Sequence, residues 1–425
     1  MEGENNDSNK LVDVSEPLLN ELEAPNINIS IKEGNTSFFQ TCFNGLNSIT
    51  GIGILSVPYA LASGGWLSLI LLFIISMAAT YTGLLVKRCM DVDPTIKSYP
   101  DIGEHAFGNI GKILVTLVLY ADLYMVITGS LILEGDNLNN LFPDLTVELI
   151  GISIDGKSSF IIIVALIVLP TVWLDDLSIL AYISAGGVVA SFVILISVIW
   201  VGAFEGIGFE TKGELFKLNG LPTAVSLFMF CYTAHPVFPP LYTSMHNKQQ
   251  FSTVLLICFA VCTLGYAIMA ILGYLMFGPE LESQITLNLP KQKMGSHVAI
   301  FTTLVIPLAK YALMLKPVAM SLESWFPTYQ NKKSFKIVLR TILVATQVIV
   351  ALSVPFFGYL MSLVGALLSA TASLTIPCLC YLKISGTKWG VEMVLILAIL
   401  LLSVLIVIFG TYTSVLQILG EIMRS

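Results

Sequence analysis

Three ionisable side chains, Asp122, His235 and Lys310, stand in stretches of this 425-residue chain that are otherwise almost free of charge. A carboxyl, an imidazole and an ammonium all gain and lose protons, so the chemistry open to them is proton exchange. A second chemistry belongs to the backbone. The run Asn47-Ser48-Ile49-Thr50-Gly51-Ile52-Gly53-Ile54-Leu55-Ser56-Val57-Pro58 puts two glycines about 13 residues into an apolar stretch. Glycine lets a helix unwind there and frees N–H and C=O groups, which is tolerated in a membrane only where protein or a wet cavity receives them. Glycine equally allows two unbroken helices to pack closely. A matching interruption is expected in Phe230-Cys231-Tyr232-Thr233-Ala234-His235-Pro236-Val237-Phe238-Pro239-Pro240, because Pro236 lacks a donor and crowds the preceding turn. His235 beside it is either a hydrogen-bonded packing residue or a proton carrier.

The elements that must position these groups follow from composition. With 56% hydrophobic and 12% charged residues, the chain holds more Leu, Ile and Val than a soluble core can bury, so much of its surface must face lipid. An ordinary soluble enzyme is excluded. Bands of about 20 apolar residues, the length that crosses about 30 Å of hydrocarbon, recur in 38–63, 66–87, 111–134, 158–174, 178–204, 221–244, 250–277, 297–321, 335–353, 356–382 and 391–418. The expected fold class is an all-α polytopic membrane protein with 11 transmembrane helices, its largest gap being 135–157.

Much of the net charge of -7 comes from residues 1–37, where eight carboxylates from Glu2 to Glu33 are set against only Lys10 and Lys32. This stretch is expected to be a disordered acidic cytosolic tail rather than a nucleic-acid face, and it has no apolar core of a cleaved signal peptide. The sequons at Asn6, Asn28 and Asn35 would then be cytosolic and unused. Glu16-Pro17-Leu18-Leu19 is either an acidic dileucine sorting signal or plain disordered chain. Thirteen Lys and Arg fall on the tail's side of the spans and six on the other. That excess places the tail in the cytosol and, with an odd number of spans, the C-terminus opposite. The seven cysteines lie in spans or at their inner ends, so no disulfide framework is implied. No Cys/His spacing suits a metal, and no cofactor is expected. The partners expected are the lipid bilayer, protons and a small molecule, with the protein functional as a monomer.

Spans one to five and six to ten are similar in length, and each set opens with a helix interrupted at half depth. Five is odd, so the second set enters from the opposite side. This is the pattern of inverted repeats, here 38–205 and 221–382, followed by a lone eleventh helix at 391–418. Paired half-helix ends would create a site at the bilayer midplane. Asp122 in span three and Lys310 in span eight are pseudo-equivalent under that repeat, and each would cost at least about 2.5 kcal/mol facing lipid. Lys316 can reach the interface and needs no function.

The runs Asn47 to Pro58 and Phe230 to Pro239, then Tyr242-Thr243-Ser244-Met245 and Lys310-Tyr311-Ala312-Leu313, resemble the amino acid/auxin permease family. Within it they look most like the plant vacuolar amino acid transporter branch, and the resemblance covers nearly everything from about Gly34 onward. It implies the leucine-transporter-like fold with broken helices 1 and 6. It also implies secondary active, proton-coupled transport of amino acids, neutral ones foremost, by alternating access in the vacuolar or another membrane. The substrate-binding set carried over is Asn47, Thr50, Gly51, Ile52, Gly53, Tyr232, Thr233 and His235, and the proton-coupling set is Lys310, Asp122 and His235. Asn47 matches the position where sodium-coupled relatives place a cation-coordinating side chain. Lys310 would stand close to a second cation position, about two turns from Thr302 and Thr303, which favours protons over sodium. An amino-acid sensor using the same site is the alternative. An enzyme is not expected, since His105, His235, His246 and His297 are too scattered for a metal cluster or a nucleophile–base pair.

Overall fold

Helix α1 (Phe38–Ile49) starts at Ser37, whose hydroxyl accepts from the Gln40 amide, and stops at Thr50, which is extended. A single 3-10 turn, Ile52–Leu55, leads into α2 (Val57–Gly64). The computed structural model describes residues 34, 36–93, 95–143, 147–149, 152–174, 186–329, 332–386 and 390–424. The expected tail, apart from residues 34, 36 and 37, lies outside them, as do 178–185 of the fifth expected span.

The chain continues as α3 (Ser68–Val92), α4 (Tyr99–Leu141), α5 (Gly156–Val172) and α6 (Gly187–Phe204). Then come α7 (Leu221–Cys231), a 3-10 turn His235–Val237, α8 (Phe238–Ser244), α9 (Phe251–Phe277) and α10 (Met294–Ser324). Helices α11 (Lys333–Ser353), α12 (Phe357–Ser385) and α13 (Val391–Ile422) complete it. Helix α4 opens with a capping box between Ser98 and Asp101 and bends at Gly108, whose φ of 64° only glycine adopts freely. Beyond α4 a small antiparallel hairpin pairs β1 (Val147–Leu149) with β2 (Ile152–Ile154).

Nine helices among the described residues are long and apolar enough to cross a membrane, Leu221–Ser244 being counted as one across its break. That falls short of eleven by this measure. The other two expected spans are the divided α1–α2 and the 17-residue α5. Large apolar side chains such as Leu114, Ile196, Leu264 and Leu401 stand more than half exposed on the helix surfaces, as a multi-pass membrane protein requires and a soluble monomer does not. The expected gap at 135–157 is shorter than its polarity implied. Helix α4 stays regular to Leu141 because Glu134, Asp136 and Asn137 are covered by protein rather than lipid.

The face where α1 begins is called here the tail face and the opposite one the far face. At the tail face Arg340 of α11 donates to Glu323 of α10 at 2.8 Å and to the carbonyl of Val172 at 3.2 Å. The two charged side chains are only 4% and 7% exposed. Arg340 thus belongs to a buried clamp at the tail face. Removing one partner of such a pair strands the other, so Arg340→Met is expected to destabilise the protein by about 3–5 kcal/mol. The check is the thermal transition of the purified protein in detergent, which an inert pair would leave in place.

Candidate functional site

The two interrupted spans enter from opposite faces and meet. The hydroxyl of Tyr266, on α9, donates to the carbonyl of Ile49 at 2.8 Å and lies 3.3 Å from that of Cys231. These are the last residues of α1 and α7, so one side chain ties both broken ends. Gly53 makes the contact closer still, since a Cβ there would stand 2.8 Å from Cys231 Sγ and 3.3 Å from its Cα. Tyr266→Phe would remove the one hydroxyl donor that the two buried carbonyls share, at about 1–3 kcal/mol for an unmet group. It is expected to lower both thermal stability and substrate transport, measured side by side.

Around the first break the backbone is left open. The Thr50 amide and hydroxyl both return to Leu46 O at 2.7 Å, and Ile54 and Ser56 close the 3-10 turn on Gly51 and Gly53. Among the described residues, the amides of Gly51, Ile52 and Gly53 donate to no carbonyl. Three free donors at a helix interruption form an anion-binding concavity. A Cβ on Gly51 would meet nothing within 4 Å, because the residue borders a cavity lined by Thr50 to Ile52, Ile54, Leu55, Gly187, Ala190, Ser191, Ile194, Thr303, Ile306 and Pro307. Its volume of about 30 Å³ admits water but no amino acid.

Asn47 and Lys310 flank the same place. A Cβ on Gly187 would lie 2.5 Å from Asn47 Oδ1 and 3.3 Å from Lys310 Nζ, so α1, α6 and α10 converge there. Asn47 Oδ1 is buried without a donor, and Lys310 has no ion pair among the described residues. Asp122 is not its partner. That carboxylate is buried on α4 and accepts from Ser369 of α12 at 3.3 Å, within a π-helical turn Gly365–Ser369.

The remaining expected site residues point elsewhere. His235 is fully buried, with Nε2 3.0 Å from the carbonyl of Ala79 and 2.9 Å from Thr82 Oγ1. A carbonyl only accepts, so Nε2 carries the proton, and the ring pins the second break onto α3. Tyr232 donates to Thr263 at 3.0 Å, and Thr263 in turn meets Ser76 at 2.6 Å. Thr233 hydrogen-bonds back to its own helix. The structure thus brings together Asn47, Thr50 to Gly53 and Lys310, and sets His235, Tyr232 and Asp122 on surrounding contacts.

A family model for transmembrane amino acid transporter proteins matches residues 34–416. The chain belongs to this family, the amino acid/auxin permeases. It is 54% identical to the Arabidopsis thaliana amino acid transporter AVT1I over 392 residues, 92% of this chain and 97% of the relative. It is 57% identical to AVT1J of the same plant over 393 residues, 92% of this chain and 93% of the relative. Among solved structures it resembles MhsT in complex with L-phenylalanine, with a TM-score of 0.54 at 12% identity over 88% of this chain and 98% of that one. Inward-facing Mhp1 gives 0.54 at 13% identity over 92% and 91%. At such identities the likeness is one of fold, and it is the leucine-transporter-like fold with broken helices 1 and 6.

For this amino acid/auxin permease, the wall of the cavity contributed by α6 escaped the sequence reading. Gly187, Ala190 and Ser191 are small residues on one helical face, a signal that the glycine pair of α1 had overshadowed.

Proposed function

We propose that the protein is a secondary active transporter that carries neutral amino acids together with, or in exchange for, protons. Residues 38–205 and 221–382 act as inverted repeats that open the midplane site alternately to each face. The observation that carries this reading is the group of free amides at Gly51, Ile52 and Gly53 beside Asn47 and Lys310. The amides suit a substrate carboxylate, and the Asn47 oxygen suits its ammonium. Ile54, Leu55, Ile194, Ile306 and Pro307 supply an apolar wall without a carboxylate, which fits an uncharged side chain, while Lys310 repels a cationic one. The tail face is taken as cytosolic, the membrane as the vacuolar one, and the monomer as the working unit. Uptake of a panel of labelled amino acids into proteoliposomes, with and without a pH gradient and in sodium-free buffer, tests the proposal. The expected result is gradient-driven accumulation of neutral amino acids without sodium. Binding without accumulation would favour the sensor, and sodium-dependent uptake indifferent to pH would overturn the coupling.

A further inference from the structure

A second polar centre lies on the far face, about 20 residues along α4 from the level of Lys112. Glu134 is 2% exposed, and neither of its carboxylate oxygens has a hydrogen-bond partner. One turn on, and on the same face of the helix, Asn137 is fully buried. Its Nδ2 donates to Leu133 O at 2.8 Å and to Gln284 Oε1 at 2.6 Å, and its Oδ1 is left without a donor. Gln284 Nε2 donates to Asp136 at 2.9 Å, and Asp136 pairs with Lys157 at 2.5 Å.

The connection between α9 and α10 covers Asp136 and Asn137, one turn from Glu134 on α4, through Gln284. Gln284, Ile285 and Thr286 are all 0% exposed, and Thr286 Oγ1 is another buried oxygen without a partner. Ile285 also reaches the first broken span, since a Cβ on Gly273 would lie 2.6 Å from Pro58 and 2.9 Å from Ile285 Cδ1. The connection is therefore a lid that spans from α2, just beyond the break, to the far-face half of α4. Glu134 lies one turn before Asn137 on the same face of α4, so displacing this connection would give water a path toward its carboxylate.

The other titratable and charged groups on the elements around this half of α4 are engaged elsewhere or lie apart from it. Lys157 holds Asp136 and the Pro355 carbonyl. His297 of α10 meets the Lys291 carbonyl. Lys310 lies at Gly187 and Asn47. Arg340 and Glu323 clamp each other at the tail face. Asp122 bonds Ser369, His235 bonds Ala79 and Thr82, and Glu280 and Glu282 of the connection are exposed. None forms a hydrogen bond or ion pair with Glu134. A carboxylate buried without a cation or donors costs several kcal/mol, and a proton removes that cost.

We propose that Glu134 is a proton-binding site on the far face: its carboxylate takes up one proton as the 284–286 lid closes over it and returns the proton when the lid lifts. This deepens the proton-coupled reading and rests on it. The closed arrangement then holds one more proton than the open one, so lowering the far-side pH favours closure, by up to about tenfold per pH unit for a single group. The group is distinct from the Asn47–Lys310 centre.

Ile285→Cys in the full-length protein in proteoliposomes, labelled from the far face with a membrane-impermeant maleimide, reads lid opening. Glu282→Cys, already exposed, corrects for the pH dependence of the thiol itself. With Glu134 present, the corrected labelling rate is expected to rise several-fold per unit as pH is raised. With Glu134→Gln, which stays neutral, it is expected to be low and flat. Equal pH dependence in both backgrounds, or none with Glu134 present, overturns the assignment. Should the Gln variant fail to fold, Glu134→Asp carries the test, since a moved midpoint supports the site and an unmoved one overturns it. Labelling tests Glu134 alone and gradient-driven uptake tests the coupling alone, so the two failures are distinguishable.

Discussion

Gly53→Ala is expected to cut amino acid uptake tenfold or more while Gly51→Ala leaves it nearly unchanged. The two glycines are two residues apart but meet different surroundings. The first methyl would stand 2.8 Å from Cys231 Sγ and 3.3 Å from the Cys231 backbone, whereas the second would enter open space. Overpacking of a tight contact costs about 1–3 kcal/mol, and 1.4 kcal/mol is a factor of ten in an equilibrium. Here that cost falls on the contact that holds the two half-helix ends together. Gly51→Leu separates space from contact, because its side chain would fill the cavity of about 30 Å³ without touching Cys231. It is expected to abolish uptake with normal expression and membrane insertion. Near-normal uptake by both Gly53→Ala and Gly51→Leu would show that neither the contact nor the cavity takes part in transport.

The broken spans were legible because a membrane leaves few ways to interrupt a helix. Gly51, Gly53 and Pro236 are the residues that permit it, and they lie at half depth in bands of ordinary length. Their meeting was legible too, through the parity of five spans. Repeat symmetry gave less for side chains. It matched Asp122 to Lys310, but symmetry-related positions lie in different halves and need not be neighbours, and Asp122 instead found Ser369 across 247 residues. Asp136 and Asn137 follow an apolar band taken to end at Glu134 and so read as the start of a loop. Hydropathy registers polarity and not whether protein covers it, and the covering residue Gln284 is 147 positions from Asn137. The side of the membrane on which Arg340 lies was legible, but its burial was not, since that depends on Glu323 and on a carbonyl of α5.

Lys310→Ala is expected to remove proton-driven accumulation while leaving exchange of labelled for unlabelled amino acid at equal pH. Among the described residues the ammonium has no carboxylate to fix its charge, and its near polar neighbour is Asn47 Oδ1, itself without a donor. A cavity of about 30 Å³ holds little water to stabilise a charge, whereas a wider one would hydrate it. An amine so placed changes its preference for a proton with the conformational cycle, which is what coupling requires. It also stands beside Asn47 between α1 and α10, and sodium is expected neither to drive transport nor to compete with protons. Lys310→Met keeps the bulk and removes the charge, and the same loss of accumulation is expected from it. If the lysine only braces α1 against α10, Lys310→Met would lose less stability than Lys310→Ala and would keep the response to a pH gradient. Retained proton-driven accumulation in a folded Lys310→Met variant would therefore exclude Lys310 as the coupling group and turn attention to the far-face carboxyl of Glu134.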